Sequence, residues 1–199
     1  MFKLGITGGM GSGKSTATNF FKLKGATIFD ADEESKNILL STPSIQKKII
    51  DSFGPNITIN QKLDLIKLAE IAFLNKQNQK YLNKIMWPEV NLFLKTNIKN
   101  AEKKGANLFV VDAALLLEAG NIEPFDDILL ITAPKSLRIK RISERKNIPS
   151  EQIEKRMSLQ MPESKKRGLT NSIIENDGSL KKFIANLDMY YKKLNLITI

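Results

Sequence analysis

The chain has no cysteine and no histidine among its 199 residues. The first absence excludes a disulfide framework, a thiolate metal site and a cysteine nucleophile. The second excludes an imidazole base, which leaves carboxylates and lysines as the side chains able to take a proton. Aromatic residues make up only 7%, and nowhere do they interleave with basic ones as an RNA-binding platform requires. No apolar run approaches the length of a membrane-spanning helix, and no signal-peptide pattern opens the chain. The expectation is a cytoplasmic protein with neither a membrane nor a nucleic-acid partner. Internal repeats and low-complexity tracts are also lacking.

Composition is otherwise ordinary for a globular protein, with 42% hydrophobic and 26% charged residues. The length allows one α/β core with a small insertion. The formal net charge is +10. It has two readings: a positive field around an anionic site, or solubility and coding bias, since most of the basic residues are lysines spread along the chain. Arginine is scarce and not spread. All five, Arg138, Arg141, Arg145, Arg156 and Arg167, fall in one window. Arginine suits planar, bidentate recognition of phosphate. Arg138, Arg141 and Arg145 repeat at helical spacing and share one face. That face looks like a lid over a triphosphate; the alternative is a solvated amphipathic helix.

The most informative segment is Gly8-Gly9-Met10-Gly11-Ser12-Gly13-Lys14-Ser15, which fills every position of the phosphate-binding loop pattern G-x-x-x-x-G-K-[ST]. Backbone N–H groups of Gly9, Gly11, Ser12 and Gly13 can turn inward around phosphates where a Cβ would clash. Lys14 is placed to reach the β- and γ-phosphates, and the Ser15 hydroxyl to ligate Mg²⁺. A helix starting near Lys14 points its positive end at the same anion. The context fits, because a short apolar run precedes the loop and a helical stretch, Ser15 to Lys24, follows it. A dinucleotide-binding loop is disfavoured, since Lys14 stands where that fingerprint needs glycine.

Five apolar runs, at Lys3–Thr7, Ala26–Phe29, Leu108–Val111, Ile128–Thr132 and Ser172–Ile174, alternate with helical stretches. They predict a five-stranded parallel sheet in a three-layer α/β/α arrangement of the P-loop NTPase kind. Between Ser35 and Gly105 no strand is expected. Helices are expected at Ser44–Phe53, Leu63–Asn75 and Gln77–Asn100, so 35–105 reads as a helical insertion without its own sheet. Residues 1–34 and 106–199 form the core, with a lid at about 134–168. The tail Ser179–Leu194 reads as a closing helix whose stripe Leu180, Phe183, Ile184, Leu187, Tyr190 and Tyr191 packs on the core.

In such sheets ligands bind beyond the carboxyl ends of the strands, and three runs end in polar groups there. Asp112 closes Leu108-Phe109-Val110-Val111, the pattern in which a carboxylate helps hold Mg²⁺; the alternative is a cap on the next helix. Asp30-Ala31-Asp32 follows the second run. Without histidine, Asp32 is the best candidate to take a hydrogen bond from a hydroxyl acceptor. Asp30 is placed to support Mg²⁺ or to orient Asp32. One of the two can instead cap the next helix. Asn176 and Asp177 follow the fifth run.

Several of these segments together resemble the dephospho-CoA kinase family. They are Gly5 to Thr16 with its Thr-Gly-Gly lead-in, Asp30-Ala31-Asp32, Val111-Asp112-Ala113-Ala114-Leu115-Leu116-Leu117-Glu118, the lid pattern Arg141, Arg145, Arg156 and Gln160, and Asn176-Asp177-Gly178-Ser179. The resemblance implies ATP and Mg²⁺ as cofactors and dephospho-CoA as the small-molecule substrate, phosphorylated on its ribose 3′-hydroxyl in the last step of CoA biosynthesis. It implies that Asp32 acts on that hydroxyl and that Lys14, Arg141 and Arg145 stabilise the transferring group. The helical insertion would take the CoA moiety, and Asn176 and Gly178 would lie near the adenine of ATP. With Thr16, these are the expected nucleotide-binding residues. Two positions depart from the pattern. Trp87-Pro88 stands where the family usually has histidine before proline, and Ala114 where it has proline. Trp87 would replace the histidine hydrogen bond by stacking or by its indole N–H.

A nucleoside monophosphate kinase is the nearest rival. It usually holds its acceptor's phosphate with an arginine in the insertion, and residues 35–105 contain none. An NTP-driven switch is disfavoured because no Asn-Lys-x-Asp signature follows the strand ending near Thr132. A monomer or a weak homo-oligomer is expected.

Overall fold

Runs that bury both faces make the centre of the sheet. In the computed structural model, which describes residues 1–120, 122–146 and 149–194, every residue of β5 (Leu108–Asp112) is buried, as is nearly all of β6 (Asp127–Thr132) and the second half of β1 (Phe2–Thr7). The shorter β2 (Thr27–Asp30) and β7 (Ser172–Glu175) alternate buried and open positions, as edge strands do. The order is β2-β5-β1-β6-β7, and every pair is parallel. Parallel pairing puts all five carboxyl ends on one edge. Asp30 is there the register partner of Asp112, and Thr132 that of Glu175.

The chain divides into two units. The first, 1–30 with 97–199, carries this sheet. One of its cores joins Leu4 and Ile6 of β1 to Ala17, Phe20 and Phe21 of α1 (Lys14–Leu23) and to Phe183 and Leu187 of α10 (Leu180–Lys193). The spacing i, i+3, i+4 brings the α1 trio onto one face. Leu23, apolar as well, lies off that face and is 83% exposed. Leu180 corrects the expected α10 stripe: it is 65% exposed, because the first turn of the helix extends past the layer on which Phe183 and Leu187 pack. Ser179 caps that turn, its hydroxyl accepting from Lys182 N at 3.2 Å. Between β5 and β7 come α6 (Leu116–Ala119), α7 (Lys135–Lys146), α8 (Ser150–Ser158) and α9 (Glu163–Arg167). The last three occupy the segment expected as the lid.

The second unit, 31–96, holds α2 (Ala31–Ser41), α3 (Pro43–Phe53), α4 (Leu65–Ala72) and α5 (Lys76–Lys103) as far as Thr96. It has its own core of Ile38, Leu39, Ile45, Ile49, Ile57, Leu68, Ala72 and Met86. Asp64 caps α4 by accepting from Lys67 N at 2.8 Å, so this helix is shorter than the expected 63–75. α5 runs on through Pro88. The expectation of no strand fails in one place: β3 (Thr58–Ile59) and β4 (Lys62–Leu63) pair antiparallel. Asn60 and Gln61 join them, both at positive φ, 49° and 63°, as a type I′ hairpin turn requires. Two residues a side is too short for alternation to register in sequence, and Asn-Gln is a weak turn signal. Among the described residues no helix is long and apolar enough to cross a membrane.

Candidate active site

The loop between β1 and α1 sits at the carboxyl edge of the sheet and turns on itself. Ser12 N donates to Gly9 O, and Thr16 N and Ala17 N donate to Gly13 O, each at 3.1 Å. Gly13 has φ 107°, and a Cβ there would run into the Asn176 amide. A Cβ on Gly9 would run into the Arg138 guanidinium. These two glycines let a side chain from elsewhere in the fold lie directly on the loop backbone. Lys14 opens α1 and is half-buried, with the exposed Ser15 next to it.

Asn176 is 7% exposed and ties three elements together. Its backbone N donates to Thr132 O at 2.7 Å. Its Nδ2 donates to Ser12 O at 2.8 Å. Its backbone and side-chain oxygens accept from Arg141 Nη2 at 3.1 and 3.3 Å. The side chain expected near a nucleotide base thus braces the phosphate loop from beneath, with Gly178 two residues on in the exposed turn before α10.

The five clustered arginines separate. Arg138 and Arg141, both on α7, reach the loop region, one against Gly9 and one on Asn176. Arg145 and Arg156 are exposed, so the face expected for all three α7 arginines reaches the loop only over its first turns. Arg167 pairs with Glu175 at 2.8 Å and Glu163 at 3.4 Å. A pocket of about 210 Å³ borders Gly9 and is lined by Arg138, Met157, Gln160, Met161 and Lys166. A second, of about 360 Å³, borders Thr132, Pro134, Arg138 and Asp177.

Three buried polar atoms here lack a hydrogen-bond partner: Ser12 Oγ, Arg138 Nε and Arg141 Nη1. Buried donors without acceptors are costly. A hydroxyl and two guanidinium N–H groups beside a loop of backbone amides are the donor set that suits a polyphosphate.

The carboxylates come next. Asp112 is 8% exposed at the end of β5, and Thr18 Oγ1 donates to its Oδ2 at 2.7 Å. Burial raises the Asp112 carboxyl above its usual value; Lys14 and the Thr18 bond work against that, and the charge of Asp30 adds to it. Among the described residues no group of three or more carboxylates gathers that could hold a metal ion by itself. Two carboxylates side by side with a loop serine suit Mg²⁺, which keeps several waters and binds chiefly through phosphate oxygens. Asp32 lies exposed in the first turn of α2, and Trp87 half-buried in α5, both within the second unit.

Sequence reading missed two groups. Thr18 lies one helical turn beyond the motif and has no signature of its own. Lys166 sits in a run of basic residues, yet it is 1% exposed. Its Nζ donates to Ala114 O at 2.9 Å and pairs with Glu118 Oε1 at 3.1 Å. Burial pushes its ammonium below the usual lysine range; Glu118 opposes the shift, and the charges of Lys14 and Arg138 add to it. Thr7 Oγ1 also donates to the Ala114 carbonyl at 3.5 Å.

Comparison with known proteins agrees with this geometry. The dephospho-CoA kinase family profile matches residues 2–182. A dephospho-CoA kinase of Carboxydothermus hydrogenoformans is 34% identical over 179 residues, covering 89% of this chain and 87% of that one. A crystal structure from Thermus thermophilus superposes with TM-score 0.82 at 28% identity, covering 98% of both chains. A dephospho-CoA kinase of Campylobacter jejuni superposes with TM-score 0.69 at 25% identity, covering 96% of both. With the family profile running over nearly the whole length, the chain belongs to the dephospho-CoA kinase family.

Proposed function

We propose that this protein transfers the γ-phosphoryl group of ATP to the ribose 3′-hydroxyl of dephospho-CoA, giving CoA and ADP. The observation that carries the reading is the family match over residues 2–182. The phosphate loop with its unpartnered buried donors supports it.

Lys14 and the loop amides of Gly9, Gly11, Ser12 and Gly13 hold the β- and γ-phosphates, with Thr16 in the next turn. Arg141, and Arg138 beside it, add positive charge at the transferring group. Ser15, Asp112 and Asp30 are the residues that would hold Mg²⁺. When bound, the cation neutralises charge on the phosphate oxygens. Residues 31–96 take the acceptor, and Asp32 accepts the proton of its 3′-hydroxyl. The 3′-oxygen forms a bond to the γ-phosphorus while the bond to the β,γ-bridging oxygen breaks. ADP leaves with that electron pair, and the proton passes from Asp32 to solvent. Positioning and electrostatics supply the acceleration, and no covalent enzyme intermediate is needed. Arg145 closes from the lid, and the adenine lies along the Asn176–Gly178 turn.

The test is regiochemical. Dephospho-CoA lacking its 3′-hydroxyl should accept no phosphate, whereas the 2′-deoxy analogue should. Asp32→Asn should lower kcat by about 10²- to 10⁴-fold, the usual worth of a general base, with KM for ATP changed little. Phosphate found on the 2′-oxygen, or an unaffected Asp32→Asn, would contradict the assignment.

A further inference from the structure

Lys165 and Arg167 on either side of it in α9 are exposed, whereas Lys166 is buried. Its partners form a path. Lys166 Nζ holds the Ala114 carbonyl at 2.9 Å and both oxygens of Glu118, at 3.1 and 3.3 Å. Glu118 Oε1 also accepts from Met161 N at 2.8 Å. The residue before Met161 is Gln160, whose Oε1 accepts from Met10 N, in the phosphate loop, at 3.0 Å. The path thus runs from the loop after β5, through segment 160–166, to the backbone of the phosphate loop. Packing alone does not call for it, since an apolar pair of similar volume fills such a space at least as well as a buried ion pair. An ion pair adds direction: it fixes where the Met161 backbone lies, and with it the reach of Gln160.

We propose that Glu118 and Lys166 are positioning residues that hold Gln160 on the Met10 amide and so fix the phosphate loop for phosphoryl transfer. This rests on the kinase reading above. Neither side chain touches the reacting groups; both act through Gln160.

The test uses full-length protein, with wild-type turnover of ATP and dephospho-CoA checking the kinase reading separately. In Glu118→Leu/Lys166→Met both charges go, so no lone charge stays buried. Its kcat should fall about 10- to 100-fold, the scale of a small misplacement of reacting groups, while KM for ATP moves by less than about threefold. Hydrogen exchange at the Met10 amide should quicken in the same variant, a readout independent of turnover. Lys166→Arg keeps charge and donors and should retain most of the rate. Gln160→Ala should reproduce the loss by itself and add little to the pair variant, because residues acting through one contact are not additive. A pair variant with wild-type kcat and unchanged Met10 exchange would overturn the proposal. So would a Gln160→Ala loss that multiplies with that of the pair.

Discussion

Asn176 is the residue on which the site's rigidity rests most visibly. One side chain holds the Ser12 carbonyl and the Arg141 guanidinium. Truncation leaves the buried Ser12 carbonyl without its partner and Arg141 Nη2 with only the backbone oxygen of residue 176. Asn176→Ala should therefore lose about 1–3 kcal/mol by urea unfolding, the penalty for unmet buried polar groups, and should raise KM for ATP; unchanged stability would mean that the bonds are incidental. Glu118→Gln tests the buried pair through pH. It removes the counter-charge of Lys166, whose folded-state pKa already lies below its unfolded value. While Lys166 is charged, the variant should be about 3–5 kcal/mol less stable than wild type. A group of this kind loses its penalty as pH rises from the folded toward the unfolded value. The deficit should thus be largest near neutrality and shrink toward the ordinary lysine range; one that stays constant up to that range would show that the lost interaction is not with the ammonium. These two residues also mark the limits of sequence. The loop and its lysine were legible because one motif fixes both spacing and chemistry. Lys166 was not, since burial of one lysine among neighbours is decided by tertiary packing.

The helices separate into faces that sequence periodicity located and ends that it did not. In α1 the buried trio follows helical spacing, whereas Leu23 is open to solvent. Phe21→Ala should cost about 3–5 kcal/mol by thermal or urea unfolding, the usual loss for a fully buried aromatic. Leu23→Ala should fall within about 0.5 kcal/mol of wild type. Equal costs would mean that the α1 face is misassigned. Apolar runs located all five strands of the main sheet, most clearly the central three, which bury both faces. The hairpin Thr58–Leu63 escaped notice because its two register pairs carry no period. On α7 the shared face of three arginines was legible, but Arg145 lies near the open end of the helix while Arg138 and Arg141 reach the loop.

At the scale of the whole molecule, parallel strand order does the assembling. It carries Asp30 and Asp112 to one edge as register partners from positions far apart in the chain, beside the phosphate loop that follows β1. The formal net charge of +10 suits an anionic ligand, and the proposed reading gives the choice of acceptor to residues 31–96. That choice is the central claim, and acceptor-dependent turnover measures it most directly. Pure protein with ATP and Mg²⁺ is assayed for ADP release with dephospho-CoA, with adenosine monophosphate, with shikimate and with no acceptor; Lys14→Ala serves as control. Release that requires dephospho-CoA and vanishes in Lys14→Ala is the expected result. Release driven by another acceptor, with none from dephospho-CoA, would contradict the assignment.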